Sequence, residues 1–296
     1  MASRKRTVAT ALAALGGLLA LFFVAIWVLL VLIEGTGLPG GRRVAIVELD
    51  GIILESESVV RELQEHHENQ RVRAVVLRIN SPGGVVAPTQ EIHAAVQRVR
   101  KAGKPVVASL GSVAASGGYY VATAADRIYA NPGTLTGSIG VVMQMANVEA
   151  LLKKVGVDYV VVKSGQYKDL GSFARTMTAE ERKILQALLD DVYNQFVDAV
   201  AQGRGLDRQV VLGFADGRIV SGQQAKQLRM LDSLGGLEEA IDGAAALAGL
   251  PKPPKLILPR RRFSLLGFLR NQVGWVGAPS FAPGIGLLKA PLYLME

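Results

Sequence analysis

The stretch that decides the fold is Gly111-Ser-Val-Ala-Ala-Ser-Gly-Gly-Tyr-Tyr120, in which Ser116 stands among small residues. It continues the apolar run Pro105–Leu110, which predicts a buried strand, and its Ala-Ala-Ser-Gly-Gly portion predicts the start of a helix. The first turn of a helix leaves backbone N–H groups without partners inside the helix. A serine at such a junction therefore lies beside donors that can hold an oxyanion.

A serine nucleophile needs a base, and the chain offers histidines and lysines. None of the three histidines has a sequence context that indicates a catalytic role: His66, His67 and His93. Lysine can act instead when it is held neutral, because burial disfavours the ammonium and lowers its pKa. Lys168 lies in a glycine-flanked loop after the strand-like run Val157–Lys163. A surface lysine paired with Asp169 is the alternative interpretation.

Four motifs occur in one order along the chain: Asn80-Ser-Pro-Gly-Gly84, Ala115-Ser-Gly-Gly-Tyr-Tyr120, Asn131-Pro-Gly-Thr-Leu-Thr-Gly-Ser-Ile-Gly140 and Gly165-Gln-Tyr-Lys-Asp169. Together they resemble the signal peptide peptidase A family, whose members are peptidases of the ClpP/crotonase fold. The resemblance spans roughly Val44 to Gly249, and the chain length of 296 residues is similar to that of the family's half-length form.

The resemblance implies a role for five residues of this chain. Ser116 would be the nucleophile, Lys168 the general base, and Ser138 the residue that orients the lysine. The backbone N–H groups of Gly84 and Gly117 would form the oxyanion hole, in agreement with the need for glycine where backbone closely approaches a scissile carbonyl. For Ser138, a turn in which the hydroxyl satisfies its own backbone is the alternative.

The chain departs from the usual pattern of that family in two places. Phe173 directly follows Ser172, where the family often has a proline before the aromatic residue. Arg229 opens the sequence Arg-Met-Leu-Asp, where Gly-Leu-Val-Asp is more typical. Neither departure falls on the proposed catalytic residues.

Alternating apolar runs and helical stretches predict an α/β fold with a parallel sheet. The predicted helices lie near residues 56–70 and 89–101, and Thr178–Glu181 is a capping box that opens a third, long helix. The resemblance narrows the fold to repeated ββα units of the ClpP/crotonase type. The predicted strands are Val44–Leu49, Ala74–Ile79, Val106–Leu110 and Gly140–Met143. The long helix carries an apolar stripe: Ile184, Leu185, Leu188, Val192 and Phe196.

The N-terminal region predicts a single transmembrane helix. The basic residues Arg4–Arg6 precede the uncharged stretch 7–33, whose length at about 1.5 Å per residue exceeds a hydrocarbon core of about 30 Å. No small-x-small cleavage site ends the stretch, which favours an uncleaved anchor over a signal peptide. The basic residues place the N-terminus in the cytoplasm and the catalytic domain on the extracytoplasmic (periplasmic) side of the inner membrane.

These features predict five segments in the chain. Residues 1–6 are a cytoplasmic basic segment, 7–33 the anchor, 34–43 a linker, 44–250 the peptidase domain and 251–296 a basic, Pro-rich tail. The tail's mixture of basic and apolar residues is typical of a segment that lies on anionic lipid, and a poorly ordered terminus is the alternative.

Composition limits the other function classes. The chain has no cysteine, which excludes disulfides, thiolate metal sites and a cysteine nucleophile. Much of the net charge of +8 comes from the two ends, and no basic platform interleaved with aromatic residues is present, so nucleic-acid binding is not expected. We expect no metal and no organic cofactor, because the dyad and the oxyanion hole supply both proton transfer and charge stabilisation.

The sequence therefore predicts a membrane-anchored serine endopeptidase with a Ser116–Lys168 dyad. The resemblance implies that its substrates are remnant signal peptides and other apolar peptides, and that the chain forms a ring-shaped homo-oligomer, an octamer. Whether serine and lysine meet within one protomer or between two stays open. The alternatives are a membrane-protein quality-control protease with a stomatin-like partner, a crotonase-like acyl-CoA enzyme and an inactive scaffold.

Overall fold

The computed structural model describes residues 15–26, 41–259 and 292–294. The chain divides into two compact units, Met1–Gly41 and Arg42–Glu296. In the first unit, residues 15–26 form helix α1. Within the described ranges, no helix combines the length and the apolar character needed to cross a membrane. The predicted anchor and linker lie in large part outside the described residues and stay predictions.

The second unit is built on a mostly parallel β-sheet. Its centre consists of β1 (Arg43–Asp50), β2 (Val72–Ser81) and β4 (Val106–Ala115), which follows the short strand β3 (Gly83–Val85). The remaining strands of this sheet are β5 (Arg127–Ala130), β6 (Leu135–Gly137), β7 (Ile219–Ser221), β8 (Ser233–Leu234) and β9 (Lys255–Ile257). The order is β7-β6-β4-β2-β1-β9, with β5 and β8 beside β4, and only β6 and β7 pair antiparallel among these described strands.

Helices cover both faces of this sheet. They are α2 (Glu57–Glu68), α3 (Val86–Lys101), α4 (Gly117–Ala122), α5 (Glu149–Lys154), α6 (Ala179–Arg204), α7 (Arg208–Leu212), α8 (Gly222–Gln227) and α9 (Leu237–Leu247). The larger core lies under α2, α3, α4 and α6, and the smaller one lies under α9. The central strands are apolar because both of their faces are buried. A separate antiparallel pair joins β3 to β10 (Leu292–Leu294).

The predicted α/β class with a parallel sheet is confirmed, as are three of its predicted strands, which became β1, β2 and β4. Two strand predictions were wrong. Residues 140–143 form no strand, because the positive φ of 50° at Ser138 turns the chain out of the sheet. The run Val157–Lys163 forms none either, since no described sheet edge takes up its backbone groups, and Val162 is 97% exposed.

The predicted capping box opens α6 as expected. The Thr178 hydroxyl accepts the Glu181 N–H at 3.2 Å, and the Glu181 carboxylate accepts the Thr178 N–H at 2.9 Å. The apolar stripe of this helix divides in two along its length. Its C-terminal part, with Val192 and Phe196, is buried, whereas Ile184 and Leu188 are exposed.

Helix α6 holds α4, the helix that follows Ser116, in place. The rings of Tyr120 and Phe196 meet edge to face with centroids 5.1 Å apart. At Gly203 the two backbones come so close that a Cβ would lie 2.3 Å from the carbonyl oxygen of Thr123. The short helix α4 is therefore fixed by tight packing rather than by its own length.

Candidate active site

Ser116 lies at the predicted strand-to-helix junction. β4 ends at Ala115 and α4 begins at Gly117, and between them Ser116 has φ 50° and ψ −117°, a combination that residues with a side chain rarely adopt. The Ser116 N–H donates to the Gly137 carbonyl at 2.8 Å, which secures the turn. The side chain is fully buried, and Oγ has no hydrogen-bond partner among the described residues. Strained backbone and an unpaired buried hydroxyl are both features that concentrate at functional sites.

Three glycines pack against this junction. A Cβ on Gly117 would lie 3.1 Å from the Cα of Gly83 and 3.2 Å from the backbone nitrogen of Gly84. A Cβ on Gly84 would lie 2.1 Å from the carbonyl oxygen of Ile53, so no side chain fits there. As the first residue of α4, Gly117 has an N–H without an acceptor inside the helix. The structure thus brings the two predicted oxyanion donors together beside Ser116.

Strand β3 presents one of these donors along its edge. On its first edge, Ile53 donates to the Gly83 carbonyl at 2.9 Å and accepts the Val85 N–H at 2.8 Å. Because successive residues of a strand direct their backbone groups to opposite edges, the N–H and C=O of Gly84 face the second edge. There Tyr293 of β10 is the antiparallel partner of Gly84. The edge beside Ser116 therefore accommodates an extended chain, in this structure the protein's own C-terminal strand.

Ser138 occupies the matching position on the neighbouring strand. β4 and β6 run parallel with Ala115 paired to Gly137. Ser116 and Ser138 are the residues that directly follow this pair, one on each strand. Both serines have φ 50°, and Ser138 is also buried. Its N–H donates to the Arg218 carbonyl at 2.8 Å. The structure thus places these two predicted site residues side by side.

Lys168 lies on a loop and is exposed. The Ser116 Oγ has no hydrogen-bond partner in the described parts of the chain, so the two predicted dyad groups do not pair within this protomer. The alternative Lys168–Asp169 ion pair is absent as well. The Asp169 carboxylate instead binds Lys163 Nζ at 2.6 Å and Arg175 Nε at 2.8 Å. Within one chain, Ser116 is therefore fixed at the end of β4, whereas Lys168 lies on a separate loop.

The histidines do not take the place of the lysine. The ring of His93 packs against that of Tyr120 in a tilted arrangement with centroids 4.8 Å apart, and its Nε2 has no hydrogen-bond partner among the described residues. Burial, together with the nearby positive charge of Arg100, lowers the pKa of His93 to about 4. A neutral imidazole in this position packs as an aromatic ring. Because Ser116 Oγ has no described partner, none of the three described histidines is hydrogen-bonded to it.

The sequence did not predict the ion-pair network that lies beside Lys168. Arg175 links Asp169 to Glu181, and it donates from Nη1 to Glu181 Oε2 at 2.9 Å. Arg175, with smaller help from Lys163, holds the pKa of Asp169 well below its usual range. The Arg175 guanidinium and the Thr178 N–H lower the pKa of Glu181 to about 2. The only sequence signal was the capping box, which marks Glu181 but does not identify its arginine. In the same described ranges, no cluster of three or more His, Asp or Glu side chains is arranged to hold a metal ion.

Comparison with known proteins assigns the family. Residues 98–251, which include Ser116, Ser138 and Lys168, match the family model of Peptidase family S49. The chain belongs to Peptidase family S49. Residues 54–136 also match the Clp protease model, in agreement with the α/β domain and its mostly parallel sheet.

Individual relatives of this S49 peptidase agree. A putative protease of Synechocystis is 47% identical over 210 residues, covering 71% of this chain and 76% of the relative. A putative signal peptide peptidase SppA of Enterococcus faecium is 37% identical over 186 residues, 63% of this chain and 54% of the relative. Protease 4 of Salmonella typhi is 34% identical over 219 residues, 71% of this chain but 35% of the relative. The resemblance to the signal peptide peptidase A family is thereby confirmed.

Proposed function

We propose that this S49 peptidase is a membrane-anchored serine endopeptidase with Ser116 as nucleophile and Lys168 as general base. The observation that carries the proposal is the junction at Ser116, where a buried hydroxyl without a hydrogen-bond partner in the described part of the chain lies beside a strand edge that accepts an extended chain. Proteases commonly bind peptides by pairing with such an edge, which supplies main-chain hydrogen bonds for any sequence. The family match favours a peptidase over an acyl-CoA enzyme or an inactive scaffold.

The chemistry uses only groups of the protein and water. The neutral Lys168 amine takes the proton from Ser116 Oγ, and the oxygen attacks the peptide carbonyl. The N–H groups of Gly84 and Gly117 hold the resulting oxyanion. The C–N bond then breaks, the leaving nitrogen takes the proton from Lys168, and water hydrolyses the acyl-enzyme with Lys168 as base again. Ser138, next to Ser116 across the strand pair, orients the lysine.

We further propose that the dyad forms between protomers of a ring-shaped homo-oligomer, an octamer as the resemblance implies. Within one chain the serine is buried, with no hydrogen-bond partner for Oγ among the described residues, and the lysine is exposed. The segment before Lys168 exposes apolar side chains, with Val160 and Val162 81% and 97% exposed. Exposed apolar patches of this kind mark interaction surfaces. A head-to-tail interface would bring the loop of one protomer to the serine of the next.

The proposed substrates are remnant signal peptides and other apolar peptides. The name of the Enterococcus relative supports this class, and pairing through the backbone of Gly84 suits substrates that share no sequence. Cleavage of full-length membrane proteins with a stomatin-like partner stays a prediction of the sequence.

The location follows from the N-terminal pattern. We place residues 7–33 in the inner membrane, with Arg4–Arg6 in the cytoplasm and the peptidase domain outside it. A reporter enzyme that works only after export is expected to be active when fused after Gly41. The same reporter fused to a chain that begins at Arg42 should be inactive. Cytoplasmic behaviour of the first fusion would contradict the proposed topology.

The dyad predicts the effect of four substitutions on hydrolysis of a fluorogenic peptide by the detergent-solubilised protein. Ser116→Ala should lower kcat on the order of a millionfold, as loss of a serine nucleophile does elsewhere. Lys168→Ala should be nearly as severe, and Lys168→Arg should also fail because a guanidinium does not give up its proton. Ser138→Ala should cost less, since it disturbs only the orientation of the lysine.

Ser112→Ala and Lys154→Ala are matched controls, because both residues are exposed: Ser112 lies in β4, four residues before Ser116, and Lys154 ends α5, before the loop that carries Lys168. Both controls should retain full activity. Substantial hydrolysis by Ser116→Ala, with contaminating protease excluded, would overturn the mechanism. If Ser138→Ala keeps full activity, Ser138 does not orient the lysine, and its role is only to stabilise the turn.

The edge beside Gly84 predicts the effect of removing β10. A chain that ends at Pro291 should hydrolyse short apolar peptides with a kcat/KM several-fold higher than the full chain, because the substrate no longer displaces Leu292–Leu294. A chain that lacks only Met295 and Glu296 keeps β10 and is the control. Equal kcat/KM for all three chains would show that substrates do not use this edge.

A further inference from the structure

The loop that carries Lys168 is held on both sides of the lysine. Before it, the Tyr167 hydroxyl donates to Glu180 Oε1 at 2.5 Å. After it, the Asp169 carboxylate receives Lys163 Nζ at 2.6 Å and Arg175 Nε at 2.8 Å. The side chain of Lys168 itself is exposed. Both neighbours of the lysine are thus fixed while its amino group projects from the loop.

Arg175 connects this loop to the main body of the domain. It contacts Glu181 through two nitrogens, Nη1 at 2.9 Å and Nη2, in the two-pronged geometry that makes arginine–carboxylate pairs rigid. Glu181 is 3% exposed and also accepts the Thr178 N–H at 2.9 Å in the capping box of α6. The C-terminal part of α6 is buried in the core. Arg175 therefore ties the loop to α6, alongside the hydrogen bond from Tyr167 to Glu180, and through α6 to the core.

The same network keeps a carboxylate away from the lysine. Asp169 is adjacent to Lys168 in sequence, and a carboxylate that pairs with a lysine stabilises its ammonium form. Here both Asp169 oxygens are engaged, one by Lys163 and the other by Arg175. The charged and titratable groups around the loop include Glu149, Lys163, Tyr167, Asp169, Arg175, Glu180 and Glu181.

We infer that Arg175 is the positioning residue for Lys168: by binding Asp169 and Glu181 together, it fixes the loop and keeps the Asp169 carboxylate from pairing with the lysine amino group. The inference rests on the proposed role of Lys168 as base. The hydrogen bonds of Arg175 go to Asp169, Thr176 and Glu181 and not to Ser116 or Lys168, so its effect passes through the position of the lysine.

The test compares Arg175→Met with Arg208→Met. Arg208 is a matched control, because it binds Asp198 of α6 at the same Nε–carboxylate distance of 2.8 Å but belongs to another segment. Arg175→Met should lower kcat by about a hundredfold, the scale of loss for a misplaced catalytic group, with little change in KM. Arg175→Lys should recover part of that loss, since lysine restores the charge but not the two-pronged contact.

The pH profile separates positioning from loss of stability. In Arg175→Met, the Asp169 oxygen that Arg175 held is free to pair with Lys168 while Lys163 keeps the other, so the rising limb of kcat against pH should move to higher pH. Adding Asp169→Asn to Arg175→Met should return that limb to its original pH while kcat stays low. Asp169→Asn alone, which keeps the shape of the side chain, should lower kcat without moving the rising limb to higher pH. If Arg175→Met does not fold, Asp169→Asn is the variant that tests the inference.

The outcomes distinguish this inference from the proposed function. If Lys168→Ala is inactive but Arg175→Met keeps full kcat and an unchanged pH profile, the dyad stands and Arg175 is not its positioning residue. The same conclusion follows if Arg175→Met and Arg208→Met lose activity equally, in step with their melting temperatures. If Lys168→Ala remains active, the dyad itself is wrong.

Discussion

The turn at Ser116 is the constraint on which the rest of the site depends. One hydrogen bond, from the Ser116 N–H to the Gly137 carbonyl at 2.8 Å, ties the end of β4 to β6 and secures a backbone with φ 50°. That turn ends the strand, starts α4 and brings Gly117 against Gly84. It also aligns Ser138 with Ser116 across the strand pair. The proposed nucleophile, both proposed oxyanion donors and the proposed substrate edge are all positioned relative to this one turn.

The elements that the sequence predicted well are those whose signal is local. The apolar runs of β1, β2 and β4 are buried on both faces, and the capping box at Thr178–Glu181 is complete within four residues. The strand prediction for Val157–Lys163 was wrong because a run of apolar residues indicates burial but does not specify which element packs over it. The pairing of β10 with β3 and the Arg175 network join segments by contacts that no local pattern specifies.

Arg229 is one of the two places where this chain departs from the usual sequence of the family. The family usually has glycine there, and in this chain Arg229 has φ 61°, in the left-handed region that favours glycine. The fold therefore tolerates a strained residue at this turn, away from the proposed catalytic residues. At Gly84 no such exchange fits, because any Cβ meets the backbone of Ile53.

The structure separates the two halves of the proposed dyad. The serine is built into the core, whereas the lysine projects from a loop that is held by the Arg175 ion pairs and by the hydrogen bond from Tyr167 to Glu180. A single protomer would then carry an incomplete site, and hydrolysis would depend on assembly. Such an arrangement would confine the activity to the assembled enzyme.

The most direct test of a site shared between protomers is to mix two inactive variants. Ser116→Ala and Lys168→Ala protomers are co-assembled in equal amounts, and peptide hydrolysis is compared with that of the unmodified protein. A site shared between neighbours should recover about a quarter of the activity, because random placement pairs an intact serine with an intact lysine at that frequency. A mixture that is shown to be co-assembled and yet stays inactive would contradict the shared site.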